Sequence, residues 1–247
     1  MSHVIGLDGI DAFDALPEAS KTALKNTKVF FFHMSVGENL LMGYNNWSAP
    51  WKGGTAFLGF PFGKAASVSF YGTGRLGHDA FGQNGLPLDK IAMFRTRMLT
   101  NGFGAAVKVA GMKFCYNDLT TTTTPLSEVI AAYDAAFQAV ESGTTGVVFF
   151  HITTPLQPAN QYNTVPNNQL RISFANSLRT KYASGRHVVL DLQEIQSTDA
   201  VGASCSQSGT PVLCSDWAAD KDGHLNDSGS TRAAKAFLYA LHVARCL

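Results

Sequence analysis

The 247-residue sequence predicts an α/β fold with a mostly parallel central sheet, on three observations. Short runs with apolar residues at successive positions recur along the chain, as suits strands covered on both faces. Amphipathic segments of helical period separate those runs. No fixed repeat and no long Pro/Ser/Gly stretch divides the chain, so residues 1–247 read as a single domain. The expected architecture is a three-layer α/β/α sandwich, flavodoxin-like, with about five mainly parallel strands.

The elements follow in order. Lys28–Phe32 (KVFFF) is the first buried strand. Residues 45–77 then break the pattern as an aromatic and Gly-rich excursion holding Trp47, Trp51, Phe57, Phe60, Phe62, Phe70 and Tyr71. Most of it is expected to be loop, with a strand at Ala66–Tyr71. Its aromatics either pack on the core or form a wall for a substrate. Leu88–Leu99 reads as a helix, and Val107–Tyr116, centred on GMKFCY, as the next strand. The threonine tract Thr120–Thr124 is a loop before the helix Pro125–Ser142, which opens on Pro as helices often do. Val147–Ile152 (VVFFHI) and His187–Leu192 (HVVLDL) are further buried strands. Between them Asn168–Tyr182 is helical, and the Ala/Leu-rich Asp227–Cys246 forms a terminal helix.

Composition excludes several function classes. Nineteen Lys+Arg oppose eighteen Asp+Glu, a net charge of +1, so no concentrated basic surface for nucleic acid or anionic membrane is expected. Charged residues make up only 15%, below the roughly 25% of an average soluble protein. No apolar run approaches the roughly 20 residues that span a bilayer. The start MSHVIGLDGIDAF lacks the basic and apolar regions of a signal peptide. Cys205 and Cys214 bracket a short polar loop and are expected to form a local disulfide, whereas Cys115 and Cys246, in apolar contexts, read as buried thiols. Low charge, abundant small polar residues and that bridge point to a secreted or periplasmic protein.

Three places carry chemistry, each beside a predicted strand or helix end. Ser35, in His33-Met34-Ser35-Val36-Gly37-Glu38-Asn39 after KVFFF, has the position of an acyl-transfer nucleophile at a helix entrance, or of an ordinary helix cap. Asn117, in Cys115-Tyr116-Asn117-Asp118, can aim its amide into a cleft as an oxyanion donor, or make a local turn. His224, in Asp220-Lys221-Asp222-Gly223-His224-Leu225-Asn226, has two carboxylates within four residues to orient an imidazole. His33 lies next to this site as a possible substrate contact or a packed strand-end residue. His78 and His151 have no carboxylate at metal-ligand spacing.

In order and placement these segments resemble the SGNH (GDSL-type) hydrolase superfamily, over about Lys28 to Cys246. The resemblance implies that Ser35 is the nucleophile and His224 the base. It implies an oxyanion hole of the Ser35 N–H, the Asn117 side chain and a glycine N–H. Gly85, in FGQNGLPLDK before a helix, fits that glycine best, with Gly82 in reserve. The chain departs from the family pattern in three places. His33-Met34 stands for Gly-Asp before the serine, and Cys115 for the glycine of the third block. Lys221 occupies the position three before His224, leaving Asp220 and Asp222 to compete as its acid, with Asp220 favoured by its i,i+4 relation. The implied function is hydrolysis of a carboxylic ester through an acyl-enzyme, without metal or organic cofactor. An acylated carbohydrate stacked on Trp47 and Trp51 is the first candidate substrate. Small alkyl or lipid esters are the rival, and a non-catalytic glycan-binding protein on a degenerate hydrolase scaffold is the competing class.

Overall fold

The computed structural model describes residues 3–43, 57–80, 82–159 and 165–247. The chain opens with β1 (Val4–Ile5), α1 (Asp8–Asp14) and α2 (Glu18–Lys25), then β2 (Val29–His33) and α3 (Val36–Met42). Next come β3 (Gly63–Lys64), β4 (Leu76–Ala80), α4 (Pro87–Leu99), α5 (Phe103–Ala106) and β5 (Val109–Met112). The second half runs through α6 (Leu126–Gly143), β6 (Val148–Ile152), α7 (Val165–Lys181), β7 (His187–Leu190) and α8 (Leu192–Gln196). A small hairpin, β8 (Ser206–Gln207) and β9 (Thr210–Pro211), precedes α9 (Asp227–Cys246).

Among the described residues the main sheet has seven strands in the order β1-β7-β6-β5-β2-β4-β3, and every pairing is parallel. Seven replaces the expected five because two-residue edge strands, β1 and β3, are too short to leave a periodic signal. Consecutive phenylalanines show why the central strands are apolar at every position. Phe31 packs with α9 residues such as Phe237 on one face, while Phe30 and Phe32 pack with α4 and α6 residues such as Phe94 and Phe137 on the other. All three are fully buried, each contributing on the order of 2–3 kcal/mol. Helices α1, α3 and α9 cover the first face, and α4, α6 and α7 the second.

The excursion differs from expectation. Ala66–Tyr71 is not a strand: Val68–Gly72 is a 3-10 turn, and Tyr71 donates its hydroxyl to the Val29 carbonyl at 2.7 Å. The strand is Leu76–Ala80 (LGHDA), whose His and Asp conceal it. Gly72 and Gly74 before the strand and Gly77 within it have the spacing of a dinucleotide motif. They lead from a turn into a strand, however, rather than from a strand into a helix. The strand expected over Val107–Tyr116 is confined to Val109–Met112, because the chain turns at Tyr116–Asp118 into a 3-10 segment.

Parallel strands place all their carboxyl ends on one edge, where α/β proteins build sites. The register aligns His33 of β2 with Ala80 of β4, and Phe32 of β2 with Met112 of β5. The loops leaving β2, β4 and β5 therefore emerge side by side. They carry Ser35, Gly82 and Asn117.

Candidate active site

Ser35 caps α3 with φ 52° and ψ −113°, a left-handed backbone that costs a non-glycine residue about 1–3 kcal/mol. Its side chain caps no helix amide. Instead Ser35 Oγ lies 2.7 Å from His224 Nε2. His224 Nδ1 lies 2.6 Å from Asp220 Oδ2. Asp220 also accepts the backbone N–H groups of Asp222, Gly223 and His224 on its other oxygen, at 2.9, 3.0 and 3.2 Å. One carboxylate thus folds the loop and orients the imidazole. Gly223, with φ +102°, makes the turn possible, since a Cβ there would come within 3.0 Å of the Leu156 carbonyl. Burial works to raise the Asp220 pKa, but the hydrogen bonds and charge of His224 outweigh it and hold the carboxyl below its ordinary value. Asp220 is therefore an acceptor, so Nδ1 carries the proton and Nε2 accepts from the serine hydroxyl.

Asp222 makes no hydrogen bond to the imidazole and is exposed. Its separation from His224 by a single glycine leaves it on the solvent side of the turn. Of the two candidate acids, the structure brings Asp220 to His224.

The other expected residues separate similarly. Asn117 is exposed on the 3-10 turn Tyr116–Asp118 after β5. Gly85 N–H, expected as an oxyanion donor, is committed to Asp118 Oδ1 at 2.9 Å. Gly82 stands two residues beyond Ala80, as Ser35 stands two beyond His33, and the strand register pairs His33 with Ala80. Among the described residues neither the Ser35 nor the Gly82 amide has an acceptor. His33, expected either to contact substrate or to pack at the strand end, is 1% exposed, bonds His78 through Nε2 at 3.0 Å and packs under Gly37, where a Cβ would approach its ring to 2.6 Å. Trp47 and Trp51 lie outside the described residues.

Several supporting residues carried no sequence motif. Asn39, buried in α3, accepts the Leu225 N–H at 3.3 Å and ties the serine helix to the histidine loop. Arg171, buried in α7, donates to the Tyr116 carbonyl at 3.0 Å and to Gln157 at 2.9 Å. The Tyr116 ring stands edge-on to His224, with centroids 6.2 Å apart. Lys113, wholly buried after β5, has no hydrogen-bond partner for its ammonium, and burial brings it down to about 8. Burial likewise raises half-buried Glu38 against the lowering effect of Lys113 and His224. A lysine on the apolar stripe of a helix is a signal that reading by type could have used: Lys90 shares the buried face of α4 with Pro87, Ile91, Phe94 and Met98.

Cys205 and Cys214 are joined by a disulfide with Cα atoms 5.4 Å apart, which pins the segment leading to the histidine loop. Cys115 is buried as expected. Cys246, expected to be buried, is exposed at the last position of α9. No helix of the described residues is long and apolar enough to cross a membrane.

No protein-family model matches the chain, and no curated protein matches its sequence. Solved structures do match. One, provisionally designated an acylhydrolase from Bacteroides fragilis, is 11% identical, with a TM-score of 0.57 over 96% of this chain and 95% of that one. A second, provisionally designated a platelet activating factor from Streptococcus pneumonia, is 13% identical, with a TM-score of 0.51 over 92% and 93%. A third, provisionally designated a lipolytic protein of the G-D-S-L family from Desulfitobacterium hafniense, is 13% identical, with a TM-score of 0.49 over 87% and 99%. At such identities likeness speaks to fold. The chain has an α/β/α sandwich like that of the Bacteroides fragilis acylhydrolase structure.

Proposed function

We propose that this SGNH-type fold hydrolyses carboxylic esters through Ser35, and that its natural substrate is an acylated carbohydrate. One observation carries the reaction: the chain of contacts from Ser35 Oγ to His224 Nε2 at 2.7 Å and from His224 Nδ1 to Asp220 Oδ2 at 2.6 Å. Nucleophile, base and orienting acid stand within hydrogen-bond reach before substrate binds.

In this reading His224 Nε2 takes the Ser35 hydroxyl proton as Oγ attacks the ester carbonyl. Asp220 holds the ring and stabilises the imidazolium. The tetrahedral oxyanion receives the N–H groups of Ser35 and Gly82 and the side-chain amide of Asn117. Gly82 replaces Gly85 in this role because the Gly85 N–H already serves Asp118. As the intermediate collapses, His224 gives its proton to the departing alcohol. A water molecule, deprotonated by His224, then attacks the acyl-enzyme carbonyl, and as the second tetrahedral intermediate collapses His224 returns the proton to Ser35 Oγ and the acid leaves.

The substrate class rests on residues 45–77, rich in Trp, Phe and Gly, and on the low charge of the chain. The flat faces of Trp47 and Trp51 suit the C–H surface of a sugar ring. The Cys205–Cys214 disulfide supports residence in an oxidising compartment. The test is acetate release from acetylated xylo-oligosaccharides and from p-nitrophenyl acetate by the wild type and Ser35→Ala. The wild type should turn over both, with the higher kcat/KM on the sugar, and Ser35→Ala neither. Equal turnover by Ser35→Ala overturns the nucleophile, and preference for the alkyl or aryl ester overturns the sugar.

A further inference from the structure

Behind the oxyanion side of the site lies a buried ion pair that no proton transfer above uses. Asp118 is 0% exposed and Lys90 2%. Lys90 Nζ reaches both Asp118 oxygens, at 2.9 and 2.7 Å. Such a pair is weak evidence for stability, because desolvation offsets much of the attraction. Its contacts are more informative. Asp118 accepts the Gly85 N–H on Oδ1 at 2.9 Å and the Cys115 N–H on Oδ2 at 2.7 Å. Lys90 Nζ donates a further bond to Asn84 Oδ1 at 2.9 Å. The Lys90 stem lies against Gly82, where an added Cβ would come within 2.8 Å of Lys90 Cγ.

The pair therefore grips two loops at once. It holds positions 82, 84 and 85 of the loop after β4, and positions 115 and 118 of the turn after β5. Gly82 lies in the first loop and Asn117 in the second, and these supply the two oxyanion donors outside Ser35. Among the described residues, neither 82–86 nor 113–115 belongs to a helix or strand. Oxyanion donors act only if held at the geometry of the transition state before charge develops.

We infer that Lys90 and Asp118 form a clamp that sets the Gly82 N–H and the Asn117 amide in one frame. Both are positioning residues for the oxyanion hole, and their role rests on the serine-hydrolase reading above. The carboxylate suits the task because it offers acceptor sites to two backbone amides and an ammonium together. An amide at position 118 would turn a donor toward one of those partners.

A double-mutant cycle between Asp118→Asn and Asn117→Ala tests the clamp, with p-nitrophenyl acetate as substrate and thermal unfolding as a check on the fold. Asp118→Asn should lower kcat by about 10–100-fold with KM within about threefold, since the donors it positions bind transition-state charge. On the Asn117→Ala background that loss should shrink at least about threefold, because one positioned donor is already gone. A merely structural role predicts the same fold-loss on both backgrounds, and that additivity overturns the clamp. If Asp118→Asn does not fold, Lys90→Met, which keeps the stem against Gly82, and Asn84→Ala carry the same cycle. Additive losses or unchanged kcat in both overturn it. Hydrolysis that survives in Ser35→Ala strikes the underlying reading instead, whereas an inactive Ser35→Ala with an additive cycle strikes only the clamp.

Discussion

Lowering the pH from 7 to 5 should destabilise the fold markedly through three histidines that are buried neutral. His33, His78 and His151 are 1%, 3% and 0% exposed. Burial brings His78 down to about 4, aided by Lys64. Burial also holds His33 well below its ordinary value, with His78 and Lys113 adding to the effect. Burial and then His187 do the same to His151. Each ring makes a neutral–neutral bond, His33 to His78 at 3.0 Å and His151 to Tyr133 at 2.8 Å and to His187 at 3.0 Å. His33 Nδ1 has no partner to receive a second proton's bond. In the unfolded chain all three titrate near 6.5, so below that pH the unfolded state binds more protons and stability falls until the folded values are reached. By pH 5 His78, held at about 4, contributes a loss of about 2 kcal/mol, and His33 and His151 add to it in the same direction. Asp79 and Glu38, which burial raises, take up protons in the folded state and offset part of this. A typical domain has about 5–15 kcal/mol in all, so a loss of this order is a measurable share of the total. Urea unfolding followed by circular dichroism at pH 7, 6 and 5 measures it. Equal or greater stability at pH 5 would refute the assignment of these rings as buried and neutral.

Two further predictions concern the reaction. Asn117→Ala should lower kcat by about 10²–10³-fold, the cost of one oxyanion donor, while KM changes little; a change confined to KM would make Asn117 a substrate contact only. Asp220→Asn should depress the pH-independent plateau of kcat far more than Asp222→Asn, because only Asp220 bonds the imidazole. Plateau losses in the reverse order would transfer the orienting role to Asp222.

Much of the fold was legible because its signals are local. The run Phe30-Phe31-Phe32 is apolar at every position since both faces of β2 are covered, and the Ala/Leu periodicity of Asp227–Cys246 matches α9 residue for residue. The edge strands β1 and β3 were not legible, because two residues carry no period. Nor was β4, whose His78 and Asp79 bond His33 and Arg97, partners distant in sequence. In the site, the i,i+4 relation of Asp220 and His224 is visible in the sequence, and the two side chains lie 2.6 Å apart. Gly85 fits the oxyanion glycine best in sequence because it precedes a helix, whereas the register of β2 with β4 and the bond from the Gly85 N–H to Asp118 are visible only in the fold and are what our proposal of Gly82 rests on. The Lys90–Asp118 pair joins positions 28 apart and announces itself in sequence only as a lysine on an apolar helix face.

The nucleophile is tested most directly by treating the native protein with a fluorophosphonate and mapping the adduct by peptide mass spectrometry. A serine activated by His224 should be phosphonylated at Ser35 and nowhere else, with loss of ester hydrolysis in step with labelling and no adduct in Ser35→Ala. An unlabelled Ser35 in protein that still hydrolyses esters, or an adduct at another residue that tracks the loss of activity, would contradict the account.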